Sequence, residues 1–216
     1  MGKYQEFNTS PFSVHTQILN SIRNQSKVLD IGCAEGYLSK KIALKGCEVV
    51  GIELDTEAAL KAEKYCKEVI IGNIESIKLN EKYINYFDYI ILADVLEHLQ
   101  DPLKILNKFN RYLKDDGYII ISVPNIANWR IRFKLLMGNF DYKKFGILDE
   151  EHLRFFTEKT AKRLVRDAGF VICNFGLTVG DLNMLAKLFH SVGLIWPNFM
   201  AYQFFIAARK DSSKEV

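Results

Sequence analysis

Short apolar runs alternate along this chain with polar stretches whose apolar residues recur at helical spacing. Val28–Ile31 reads as a buried strand. Behind it Tyr37, Leu38, Ile42 and Ala43 fall on one face of a helix over Glu35–Lys45, closed by Gly46. Cys47–Ile52, Val69–Ile71, Phe87–Leu92 and Tyr118–Val123 are the next strands. Helices are expected at Thr56–Cys66, with Ala58, Ala59, Ala62 and Tyr65 on one side, and at Pro102–Leu113, with Pro102 in the first turn. Asp115-Asp116-Gly117 marks a turn. Ser13 is placed to cap a helix through Ile18, Leu19 and Ile22 in a polar N-terminal segment, residues 1–26. Beyond a break at 125–156, Thr157–Ala168 reads as a helix capped by Thr157 and closed by Gly169. Phe170–Leu177 is a sixth strand, Gln203–Arg209 a seventh at the far end of the sheet, and Asp211–Val216 a frayed tail.

Strand–helix alternation with near-continuous apolar strands predicts an α/β fold of the doubly wound kind. The sheet is mostly parallel, with seven strands, helices on both faces and right-handed crossovers. The absence of repeats and of linker-like composition predicts a single domain over 1–216, its alternation interrupted only by the insertion.

Composition narrows this little. Apolar residues make up 49% of the 216 and charged residues 25%, as in ordinary globular chains. A net charge of +3, with both signs mixed, gives no reason to expect nucleic acid or an acidic membrane surface. Cys33, Cys47, Cys66 and Cys173 form no C-x-x-C pair and suit reduced, mostly buried thiols in the cytoplasm. The first residues lack the apolar core of a signal peptide, and Val192–Ala208 is broken by Pro197, Asn198 and Gln203, so no membrane span is expected. The histidines His15, His98, His152 and His190 show no metal-ligand spacing. Neither a nucleophile elbow nor a phosphate-binding Gly-Lys-Ser/Thr occurs.

Chemistry concentrates behind the first strand. Gly32, Ala34 and Gly36 form a small-residue turn before a helix, an arrangement that lets a ligand approach the backbone. The dinucleotide fingerprint would need a third small residue where Tyr37 stands, which disfavours a nicotinamide-dependent oxidoreductase. Glu53 follows Gly32 by 21 positions, just past the second strand, where a carboxylate accepts bonds from both ribose hydroxyls; its alternative is a solvated acid opening the next helix, a role Asp55 fills equally well. Asp94, at the end of the fourth strand, is either a ligand-facing acid or a helix N-cap.

Asp30-Ile31-Gly32-Cys33-Ala34-Glu35-Gly36 resembles motif I of the class I S-adenosylmethionine (AdoMet) methyltransferases, acid-x-Gly-x-Gly-x-Gly. Ala34 departs from it, and the turn is expected to survive if Ala34 keeps a negative φ. Asp94-Val95-Leu96-Glu97-His98-Leu99 resembles the matching stretch of small-molecule methyltransferases akin to the ubiquinone-biosynthesis type. Gly117–Asn125 and Asp149–Thr157 resemble later family segments. The insertion Asn125–Lys144 resembles that of bacterial methyltransferases associated with surface-polysaccharide synthesis. The likeness covers about residues 13–178.

It implies a Rossmann-like methyltransferase sheet and AdoMet as cofactor, leaving as S-adenosylhomocysteine. The implied cofactor-binding residues are Asp30, Gly32, Cys33, Ala34, Gly36, Tyr37, Glu53, Leu54, Asn73, Ile74, Ala93 and Asp94. Asn73 stands where the family's Asp meets the adenine amine, with a turn Asn as its alternative, and Glu75 reads as a surface residue. His98 and His152 are candidate general bases; the alternative for His98 is packing beside the helix that follows, and for His152 a brace for a lid. The methyl would go to an O or N atom of a small molecule, with a sugar or nucleotide-sugar suggested by the aromatic and basic insertion, read as a substrate lid. Its alternative is an amphipathic helix docking Ile131, Phe133 and Leu135 on the core. A second functional reading is an inactive AdoMet-binding partner or regulator. Leu194–Met200 reads as a homodimer contact, a membrane-surface touch, a lid or core packing.

Overall fold

A computed structural model of the chain describes residues 7–179, 191–193 and 195–211; residues 1–6, 180–190 (with His190), 194 and 212–216 lie outside the described residues. The strands are β1 (Lys27–Ile31), β2 (Glu48–Glu53), β3 (Glu68–Ile71), β4 (Phe87–Ala93), β5 (Leu113–Pro124), β6 (Phe170–Thr178) and β7 (Gln203–Lys210). They form one sheet in the order β3-β2-β1-β4-β5-β7-β6. The first five pair in parallel, and β7 runs antiparallel to both β5 and β6.

β7 is therefore interior, not at the far end of the sheet. Phe204–Ala208 is buried at every position, which needs a partner strand on each side. β6 takes the edge, and its exposed Val171, Cys173 and Asn174 suit that place. The turn expected at Asp115-Asp116-Gly117 also differs, for these residues lie within β5. Leu113 pairs with Phe87 and Tyr118 with Tyr89, so the residues between them bulge out of the ladder.

Two helices, α1 (Val14–Ser21) and α2 (Tyr37–Ala43), cover one face of the sheet. α4 (Pro102–Asn110) and α6 (Glu158–Asp167) cover the other, while α3 (Thr56–Ala62) packs on β2 and β3. Strand parity assigns each side chain its layer. In β1, Val28 faces α1 and α2, whereas Leu29 and Ile31 face the α4 layer. Ser13 caps α1 by accepting from the Thr16 N–H. Thr157 and Thr160 form a reciprocal capping box on α6. Asp55 caps α3 through Ala58 N, 2.8 Å away, which leaves Glu53 for another task.

The insertion does not dock on the core. Its helix α5 (Trp129–Leu136) contains no buried residue, and Phe133 and Leu135 are exposed. It is pinned at its ends instead. Buried Asn125 and Asn128 donate to the carbonyls of Asn198, Met200 and Ala201, and Ile147 and Leu148 are buried on the far side. The four cysteines are free thiols; Cys173, exposed on the edge strand, departs from the expected burial. Among the described residues no helix is long and apolar enough to cross a membrane.

Candidate active site

The strand order reverses between β1 and β4, and a cleft of about 520 Å³ opens at the carboxyl ends of these strands. The turn after β1 forms one wall. Gly32 and Gly36 have φ of 72° and 79°, and a Cβ on them would lie 2.8 Å from Val95 Cγ2 and 2.9 Å from Ala62 Cα, so both must be glycine. Gly36 in the left-handed region also explains why α2 begins at Tyr37 and not at Glu35. Ala34 does not keep a negative φ: it sits at 48°. The turn survives at a cost, and Ala34→Gly is expected to stabilise the protein by about 1 kcal/mol, read as a higher thermal midpoint.

Glu53 ends β2 opposite this turn. Its Oε2 accepts from Ala34 N at 2.8 Å, and its Oε1 from Leu54 N at 2.8 Å and Asp55 N at 3.0 Å. The carboxylate is thus fixed at the cleft wall by three backbone donors. Gly32, Ala34, Tyr37, Glu53, Leu54, Asn73, Ile74, Ala93, Asp94 and His98 all line the cleft. Asn73 also serves its own turn, its Oδ1 accepting from Glu75 N at 2.8 Å. Glu75, read as a surface residue, is half-buried; it lines the cleft and accepts from Gln100 N at 3.0 Å. Glu151, supplied by the insertion, also lines it and was missed in the sequence.

Asp30, Cys33 and Gly36 do not line the cleft. Asp30 shares the parity of Val28, so it points to the α2 layer and accepts from Ser39 Oγ at 2.6 Å. Cys33 packs its sulfur against Gly51, and Gly36 packs on Ala62. These three shape the turn from behind. Burial raises the Asp30 carboxyl from 3.8 to about 6, opposed by the Ser39 hydrogen bond and aided by the Glu53 charge. Because the folded state holds this proton more tightly than the unfolded chain, stability falls as pH rises from about 4 to about 6 and stays lower above that. Asp30→Asn, which keeps the acceptor for Ser39, is expected to flatten this slope. Above pH 6 it should add stability on the order of 3 kcal/mol, measured by denaturant titration across pH.

Asp94 is not an N-cap. Val95 precedes the turn Leu96–His98 without a side-chain cap. The Asp94 carboxylate instead accepts from Ser122 Oγ at 2.9 Å and from Gln203 Nε2, with its backbone held at φ 55°. A non-glycine residue in that region at a cleft is strain held in place by its partners. Burial raises the Asp94 carboxyl, moderated by these two hydrogen bonds and the nearby His98. Gln203 escaped the sequence reading; its only signal is a polar residue opening the apolar β7.

Asp94 also lines a second cavity of about 220 Å³, with Glu97, Phe145, His152, Tyr202 and Gln203 among its other walls. His98 and His152 meet between the two spaces, their rings edge to face at 4.8 Å. Leu153 N and Arg154 N donate to the Glu97 carbonyl at 2.8 and 2.9 Å, which clamps the His152 segment beside His98. His98 Nδ1 lies 3.2 Å from the Glu151 carbonyl and His152 Nδ1 3.1 Å from the Ile147 carbonyl. A carbonyl only accepts, so each Nδ1 carries a proton in these contacts. Glu97, His98 and His152 also offer ligand atoms within 4.8 Å of one another, a carboxylate–imidazole set able to hold a transition-metal ion. Spacing along the chain, on which the expectation of no metal rested, does not register a cluster drawn from two distant segments.

A family model described as a methyltransferase domain matches residues 4–174. The chain belongs to the methyltransferase-domain family. Its cleft, glycine turn and the Glu53 carboxylate fixed at the cleft wall suit AdoMet, the cofactor of this class I methyltransferase fold, and a volume of about 520 Å³ is ample for such a ligand. Among curated relatives, the ubiquinone biosynthesis O-methyltransferase of Actinobacillus pleuropneumoniae serotype 5b is 36% identical over 107 residues, covering 46% of each chain. That of Methylococcus capsulatus is 24% identical over 179 residues, 81% of this chain and 75% of the relative. The methyltransferase spans about half the length of the first of these. A SAM-dependent methyltransferase from Methanosarcina mazei superposes with a TM-score of 0.64 at 24% identity, over 90% of this chain and 96% of that one. One from Mesorhizobium loti gives 0.66 at 14%, over 92% and 98%. These two likenesses establish the fold.

Proposed function

We propose that this methyltransferase transfers the AdoMet methyl group to a hydroxyl oxygen of a small molecule held in the cavity beside the cofactor cleft. The observation that carries the reading is the His98–His152 pair, two imidazoles that meet edge to face between the two spaces. AdoMet, when bound, supplies an electrophilic methyl on a good leaving group. The protein's part is to bind, orient and exclude water, and to take the hydroxyl proton at an imidazole Nε2. The names of the O-methyltransferase relatives agree with oxygen as the acceptor atom.

The cavity of about 220 Å³ suits a single ring rather than a nucleotide-sugar. The cations that suggested sugar phosphates, Arg130, Arg132, Lys134, Lys143 and Lys144, line neither space. A monosaccharide or a phenol remains within reach of Phe145 and Tyr202. The four free thiols accord with a cytoplasmic setting. Labelled AdoMet offered with pooled phenols and sugars tests the reading. Transfer of label to a hydroxyl is the expected result. Tight AdoMet binding with no transfer to any acceptor would favour the inactive-partner reading instead.

A further inference from the structure

We propose that His15, which lies outside the cofactor cleft, is a positioning residue for AdoMet binding: held by the segment before α1, its ring sets the Tyr37 wall of the cleft. Tyr37 opens α2 and is the one phenol ring among the described residues that line the cleft. Its own helix gives it no cap. Gly36 before it lies in the left-handed region and offers no side chain to the helix start. Leu38, Ser39 and Ile42 anchor α2 in the core, whereas Tyr37 is half-buried. The His15 ring packs on it from α1, with centroids 5.0 Å apart and planes tilted by 48°. That separation is in the range where aromatic pairs attract. His15 itself lines neither the cleft nor the second cavity, so it acts only through Tyr37.

The ring is fixed in one orientation by the chain ahead of it. His15 Nδ1 accepts from Asn8 N at 2.9 Å, which requires a neutral ring with that nitrogen unprotonated. Burial lowers the His15 pKa and so favours this form. Asn8 is tied in turn to the start of α1. Its carbonyl accepts from Ser13 Oγ at 2.7 Å, and its Oδ1 accepts from Ser10 N at 2.9 Å. Phe7 adds a second ring to the clasp, 5.4 Å from His15. Lys41 Nζ stands 5.7 Å from the Phe7 centroid. Tyr37 and Lys41 are i and i+4 on α2, so His15 and Phe7 lie along one face of that helix. Residues 7–15 thus brace the cofactor site from behind, although sequence spacing joins them to nothing beyond α1.

The test reads cofactor binding, so it stands whichever acceptor is methylated. The full chain is titrated calorimetrically with AdoMet, and a thermal melt without ligand accompanies each variant. His15→Ala is expected to weaken binding about three- to tenfold, the worth of one aromatic contact. His15→Phe, which keeps a ring against Tyr37 and loses the Asn8 bond, should recover most of that loss. In a Tyr37→Ala background, His15→Ala should cost nothing further, because the wall that it sets is gone. A purely structural role would instead lower the melt and leave the two losses additive. If His15→Ala melts early, His15→Leu, which fills the space without a ring, replaces it in the same comparison. A folded variant without the ring that binds AdoMet within about twofold of wild type overturns the proposal. So does an equal further loss in the Tyr37→Ala background.

Discussion

Glu53→Ala is expected to weaken AdoMet binding by about a hundredfold to a thousandfold in isothermal titration. Two ribose hydroxyls bonding to one carboxylate contribute roughly 3–4 kcal/mol together, since hydrogen bonds to charged groups are worth more than neutral ones. The carboxylate is already in position, braced by Ala34 N, Leu54 N and Asp55 N, so little ordering cost offsets this gain. Glu53→Gln keeps one oxygen acceptor but loses the charge, and a smaller loss of about tenfold is expected. Removing Glu53 also frees the Ala34 N–H of the glycine turn. A thermal melt therefore accompanies the titration, to separate a weaker ligand contact from a loosened turn. A Glu53→Ala protein that melts normally and binds AdoMet within about threefold of wild type would remove the ribose role.

The second large effect lies in turnover. His98→Ala or His152→Ala is expected to lower kcat by about a hundredfold to ten-thousandfold with a hydroxyl acceptor, the range for loss of a general base. His152 lines the second cavity, where the acceptor is proposed to sit, and not the larger cleft. Its replacement should therefore leave AdoMet affinity close to wild type while turnover collapses. His98 lines the cofactor cleft, so its loss is expected to reduce AdoMet binding as well. The limb of the pH–rate profile where an imidazole titrates should vanish in whichever variant lacks the base. If the two rings serve one proton path, the double variant loses little more than the worse single one. Full turnover in both single variants would dispose of imidazole base catalysis here.

Much of the fold was legible because each strand and helix announces its own burial. The apolar run of β1, the alternation around it and the caps Ser13 and Thr157 are local signals, and the structure follows them to within a few residues. The cofactor cleft was legible for a related reason. In a doubly wound sheet, residues just past successive strands converge on one edge, so Gly32, Glu53, Asn73 and Asp94 meet without further instruction. The failures share a cause too. Asp30 lies on the strand next to the turn, but its parity sends it to Ser39 and away from the cleft. Reading it as a ligand residue followed its position in the motif and ignored its face.

Sequence alone determined that β1, a glycine turn and α2 follow one another, with Glu53 just past the next strand. Strand–turn–helix geometry is local, and Tyr37 at the third position argued against a dinucleotide. Tertiary structure decided what no local pattern carries. It set β7 between β5 and β6, which brings Gln203 onto Asp94. It joined His152 to His98 through the Glu97 carbonyl. It also left α5 without a core to pack on, with its apolar face exposed. Periodicity reports whether a residue is buried in its own element. Which distant element it meets depends on strand order and register, and these are set by the packing of the whole sheet.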